Sequence, residues 1–102
     1  MEQVKVLGLE ENLLKIVLSG DIDLGNAEEF YAETLAAYKA TPTDIMFDCE
    51  QLNFIDSTTL GTFVKILKAL KTDGKSMKLY NLQSKIKKLF LICSLDSIME
   101  IA

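Results

Sequence analysis

Residues 54–61 read FIDSTTLG: an apolar pair, four consecutive polar side chains (Asp56, Ser57, Thr58 and Thr59), then Leu60-Gly61. Upstream, DIMFDCEQL carries the short apolar run Ile45 to Phe47 bounded by acids, the pattern of a strand buried on both faces. Downstream, Leu60, Phe63, Val64, Leu67 and Leu70 recur at helical spacing as far as Asp73-Gly74, where glycine suits a left-handed stop. The quoted segment is therefore the handover from a third strand, closed by Phe54-Ile55, to a second helix opened by Asp56 to Thr59. A hydroxyl at that point can cap the helix by accepting from free backbone donors two or three residues on. Capping requires one such side chain, and Asp, Ser and Thr are weaker helix formers than Ala or Leu. A helix N-terminus, with its free donors and partial positive charge, also stabilises a phosphate placed on a hydroxyl there. The residues alone leave both readings open, plain cap and phosphate acceptor.

The flanking sequence fills in an α/β domain. VKVLGL alternates apolar and polar, EEN can turn, and LLKIVLSG is a second β-rich run, so residues 3–19 predict an antiparallel hairpin. In LGNAEEFYAETLAAYKA, the positions Ala27, Phe30, Tyr31, Thr34, Leu35 and Tyr38 predict a first helix with Asn26 as its N-cap and Glu28 and Glu29 favourable in the first turn. Thr41-Pro42-Thr43 ends it. KSMKLYNL reads as a fourth strand, SKIKKLFLICSL as a third helix with Ile86, Leu89, Phe90 and Cys93 facing inward, and IMEI as a last short strand. The order β-β-α-β-α-β-α-β predicts an α/β sandwich with a mixed sheet of about five strands opened by a hairpin and three or more helices, in one domain over residues 1–102. Phe30, Tyr31, Met46, Phe63 and Phe90 are expected in its core.

Composition narrows the function. With 49% hydrophobic and 25% charged residues, the chain has the balance of a globular domain, which excludes disorder. It contains no histidine. The usual general base, the Ser/His and Cys/His nucleophile pairs and the common zinc ligand are therefore missing, and no catalytic residue, metal site or cofactor is expected. Cys49 and Cys93 lack CxxC spacing and are expected to be reduced packing residues. No apolar run approaches the roughly 20 residues that span a bilayer. MEQVKVLGLEEN is no secretory signal, so a cytoplasmic location is expected.

Charge is divided between the halves. Residues 1–60 hold twelve acids against three lysines, and residues 61–102 hold eight lysines against three acids. Because Lys65, Lys68 and Lys71 fall opposite the apolar stripe of the second helix, a solvated helix face is expected there, and no direct nucleic-acid contact. Asp23 and Asp56 are expected near one surface. A phosphate adding about −1.5 to −2 charges there would repel an acidic partner.

GDIDLGNAEEF, together with the long stretch from FDCEQLNFIDSTTLG to the end, resembles the STAS domain family, and within it the free-standing anti-sigma factor antagonists of bacteria. The motifs that carry the resemblance are Gly20 to Asp23 (G-x-I/L-D), Asp56 to Gly61 (D-S-S/T-x-L-G) and Ile86 to Phe90 (I-K-x-L-F). It implies that Thr58 matches the family's phosphoacceptor, with Ser57 as the neighbouring hydroxyl and Asp23 and Asp56 as acids beside it. The implied partner is an anti-sigma factor with serine/threonine kinase activity, bound through Asp23, Asn26, Asp56, Ser57, Thr58, Thr59 and Leu60. Binding would free a sigma factor, phosphorylation would end it, and a PP2C-type phosphatase would restore it. Two positions depart from the family pattern: Thr58 stands where Ser is usual, and Thr59 stands where Gly is usual, adding a Cβ and a hydroxyl on the expected path of the kinase. The resemblance also implies an open surface where a longer closing helix is common. An alternative of another class is a constitutive STAS subunit of a lipid-transport or other complex, in which Thr58 only caps. A third, an enzyme built on an Asp23/Asp56 carboxylate pair, lacks a nucleophile, a metal cage and a phosphate loop.

Overall fold

The computed structural model describes residues 1–102. The elements are β1 (Val4–Glu10), β2 (Leu13–Ile22), α1 (Ala27–Ala40), β3 (Ile45–Ile55), α2 (Ser57–Thr72), β4 (Met77–Tyr80), α3 (Ser84–Ile92), a single 3-10 turn (Leu95–Ser97) and β5 (Glu100–Ile101). The strands form one sheet in the order β1-β2-β3-β4-β5. β1 and β2 pair antiparallel, as the hairpin pattern predicts, and every later neighbour is parallel. This is the expected mixed five-strand sheet with three helices.

Each parallel step needs a crossover, and α1, α2 and α3 supply them between neighbouring strands. Crossovers of one hand that advance steadily in one direction leave their helices on one face of the sheet. The side chains agree with this. Leu14, Ile16 and Leu18 of β2 are buried toward the helices, whereas Lys15, at the intervening position, pairs in register with Met46 and, beyond it, Lys78 on the other face. There Lys78 bonds Glu100 at 2.6 Å.

One phenylalanine from each of four elements locks the helices to the sheet. Phe30 (α1), Phe47 (β3), Phe63 (α2) and Phe90 (α3) are fully buried and meet edge to face, with centroids 5.1 to 6.0 Å apart. Such pairs contribute about 0.5–1.5 kcal/mol each beyond their burial. Together they fix where the N-termini of α1 and α2 emerge. Of the positions expected in the core, Phe30, Phe63 and Phe90 lie within it, Tyr31 is half-buried against it, and Met46 is buried on the sheet's other face.

β3 closes at Phe54-Ile55 as expected: its polar residues Glu50, Gln51 and Asn53 face solvent while Cys49 and Leu52 keep the core face. Its pairing with β2 shifts register twice along this stretch. The corrections fall on α3 and Cys93. α3 ends at Ile92, short of the predicted reach, so that only Ile86 and Phe90 face inward. Leu89 is 38% exposed, and Cys93, at the C-cap, is exposed where it was expected to pack. Cys49 is buried as expected.

Candidate functional site

The parallel register pairs Ile22 with Ile55, the last residues of β2 and β3. Their successors, Asp23 and Asp56, therefore leave the sheet side by side at its carboxyl edge, where loops of open α/β sheets gather. The expectation of one shared surface follows from this register.

Asp56 is the N-cap of α2. Its Oδ1 accepts from the Thr59 N–H at 3.1 Å, and the Thr59 hydroxyl receives the Asp56 N–H at 3.4 Å, which completes a capping box. Its other oxygen, Oδ2, accepts the Leu24 N–H at 2.9 Å and so ties the loop after β2 to the helix start. Partial desolvation pushes the Asp56 carboxyl upward, but the donors from Thr59 and Leu24 outweigh it and hold the pKa below the ordinary carboxylate value. The cap is thus a carboxylate, where the hydroxyls also qualified.

Thr59 is fully buried, and its hydroxyl donates to the Ile22 carbonyl at the end of β2. The methyl and hydroxyl expected to obstruct a kinase point into the domain instead. Thr59 and Leu60, both buried, support the surface without forming it. Asn26 is also occupied: its side chain accepts from the Asp23 N–H at 2.8 Å and donates to the Asp21 carbonyl at 2.9 Å, leaving α1 without a side-chain cap. Asp23 Oδ1 accepts the Gly25 N–H at 2.9 Å. A Cβ on Gly25 would stand 3.2 Å from that oxygen, so the turn suits glycine.

Ser57 and Thr58 remain. Both are exposed, and neither hydroxyl bonds within the chain; the Thr58 carbonyl accepts from Thr62 Oγ1 at 2.9 Å. Of the four polar residues in the quoted segment, two hold the fold and two face outward.

A family model described as the STAS domain matches residues 6–102. The chain belongs to the STAS domain family. An anti-sigma-B factor antagonist of Bacillus subtilis (strain 168) is 33% identical over 92 residues, covering 90% of this chain and 84% of that one. Among solved structures, the anti-sigma factor antagonist SpoIIAA in its unphosphorylated form superposes with a TM-score of 0.75 at 20% identity, covering 97% of this chain and 86% of that chain. The Bacillus cell fate determinant SpoIIAA in the phosphorylated form gives 0.71 at 24% identity, covering 97% and 90%. At these identities the two structures bear on the fold alone.

Two residues on this edge of the STAS domain escaped the sequence reading. Leu24 is 74% exposed and Phe54 49% exposed, one on each of the two segments that flank Asp56. Phe54 lies with Leu89 and Lys85 along a shallow groove between β3 and α3. The signal was present: Leu24 is a large apolar side chain inside the polar loop GDIDLGN, and Phe54 interrupts the burial alternation between Leu52 and Ile55. No helix is long and apolar enough to cross a membrane.

Proposed function

We propose that this STAS domain binds an anti-sigma factor that is also a serine/threonine kinase, and that phosphorylation of Thr58 by that kinase ends the contact. The reading is carried by the division within Asp56 to Thr59: the cap and the buried tie are Asp56 and Thr59, which leaves Thr58 as an exposed hydroxyl on a rigid helix start. Ser57 is the alternative acceptor. The contact surface is the start of α2 with the loop Asp23 to Asn26, and Leu24 and Phe54 are its apolar anchors. Exposed anchors beside a polar centre suit a reversible interface.

In the transfer, the Thr58 Oγ1–P bond forms as the bond to the departing ADP breaks, and the hydroxyl proton leaves to solvent. The product adds about −1.5 to −2 charges beside Asp56 and Asp23, at the centre of the contact. Like charge facing an acidic partner surface costs several kcal/mol. A PP2C-type phosphatase would reverse the step, in the cytoplasm. SpoIIAA, which shares this fold, is known in unphosphorylated and phosphorylated forms.

Calorimetry with the anti-sigma factor from the same genome tests the reading. Unmodified protein and Thr58→Ala should bind alike, and protein carrying phosphothreonine at 58 should bind at least about 100-fold more weakly. Equal binding by the phosphorylated protein would exclude the switch.

A further inference from the structure

Thr58 opens onto a groove between α1 and α2 that ends at a cation. The groove encloses about 600 Å³, with Leu24 and Thr58 at one end and Lys65 among its walls. Lys65 Nζ lies 4.6 Å from the ring centroid of Tyr31 on α1 and pairs with no carboxylate. A lysine over an aromatic face keeps its charge and gains a defined position. Ser57 does not line the groove.

Helix geometry aligns the two ends. Seven residues are two turns less about 20°, so Thr58 and Lys65 share a face of α2 about 10.5 Å apart along the axis. A lysine stem on a helix leans toward the N-terminus, which for Lys65 is toward Thr58. Between them stands Gly61, and a Cβ there would have nothing within 4 Å. Gly61 thus places no side chain on the floor between hydroxyl and ammonium.

We propose that Lys65 is the internal counter-ion for a phosphate on Thr58, drawing it down the groove over Gly61. The proposal rests on Thr58 as the acceptor. It makes phosphorylation more than added charge: the phosphate lies over the groove floor beside Leu24 and removes from the partner both a cation and a recess. It also separates Thr58 from Ser57, whose phosphate would find no cation in this groove. The charged and titratable groups around the phosphate are Glu28 and Tyr31 from α1, Asp56 and Lys65 from α2, and Asp23 from the loop. Glu28, Asp23 and Asp56 oppose its second ionisation, and Lys65 favours it.

The test is a phosphorus NMR titration of the full chain with phosphothreonine incorporated at 58 during translation, so that no kinase is needed. One unit charge some 5 Å away in water changes the second acid constant about fourfold. At low salt, Lys65→Gln should weaken that constant about fourfold, Lys65→Arg should restore it, and Lys68→Gln, nearly one turn further on, should change it by less than about twofold. Salt at about 1 M, where the screening length is about 3 Å, should erase the difference. A Lys65→Gln titration matching the parent at low salt would overturn the proposal, as would an equal effect of Lys68→Gln. If the kinase does not modify Thr58, the switch fails while this titration still decides the role of Lys65. If the kinase modifies Thr58 and the titrations match, Lys65 alone is excluded.

Discussion

Leu24 and Asp56, 32 residues apart in sequence, are joined by a 2.9 Å hydrogen bond from the Leu24 N–H to Asp56 Oδ2. One carboxylate thus caps α2 and holds the loop after β2, so the two halves of the candidate contact surface move together. The same donors keep the Asp56 pKa low. A carboxyl with a depressed folded-state pKa contributes stability that is full above its ordinary value and is lost as pH falls through the folded value. Acid titration of the amides should show Leu24 and Thr59 losing exchange protection together at a pH below the ordinary aspartate range. Asp56→Asn should abolish that acid step and lower protection at both amides at neutral pH.

Thr59 belongs to the fold. Thr59→Val leaves the Ile22 carbonyl and the Asp56 N–H without their partner in a buried setting, at a cost of about 1–3 kcal/mol. Urea unfolding should show the loss. Thr58→Val, at an exposed position, should change stability by no more than about 0.5 kcal/mol.

Leu24 is 74% exposed, so truncating it should leave stability within about 0.5 kcal/mol, whereas truncating Phe54, 49% exposed and lying along the groove with Leu89, should cost about 1–2 kcal/mol. If they anchor the anti-sigma factor, Leu24→Ala and Phe54→Ala should each weaken its binding by about tenfold or more in calorimetry. Wild-type affinity in both would move the contact off this edge.

The two thiols should react separately. Burial, with Asp48 nearby, pushes the Cys49 thiol up to about 12, whereas Cys93 is exposed at the end of α3. A thiol-reactive disulfide reagent at neutral pH should label one cysteine in the native protein and both after unfolding, and Cys93→Ser should abolish native labelling.

Burial and the 2.8 Å hydrogen bond to Asp73 raise the Tyr38 phenol to about 12. A raised folded-state value contributes stability that is full below the ordinary tyrosine value near 10 and is lost as pH rises toward 12. Ultraviolet titration should resolve one late phenolate step, absent in Tyr38→Phe.

Where the sequence carried periodicity, the structure agrees: the hairpin, the stripe Leu60, Phe63, Leu67 and Leu70, and the order of crossovers were all legible. β3 was legible to its end at Phe54-Ile55, although Gln51 and Phe54 pair with β2 while facing solvent. The end of α3 was less so. Leu89 and Cys93 carry inward spacing on a helix too short to bury them. At the site, the run Asp56 to Thr59 announced a helix start with surplus polar groups. The division of labour within it depends on the contacts that Leu24 and Ile22 make from another strand's end, and no local pattern encodes them.

The central claim is that Thr58 is the acceptor of a switch. Fragment mass spectrometry after incubation with ATP, Mg²⁺ and the kinase-like anti-sigma factor tests it most directly. A single added phosphate located on Thr58 is the expected result, and a complex that forms without phosphate on residues 57–59 would contradict it.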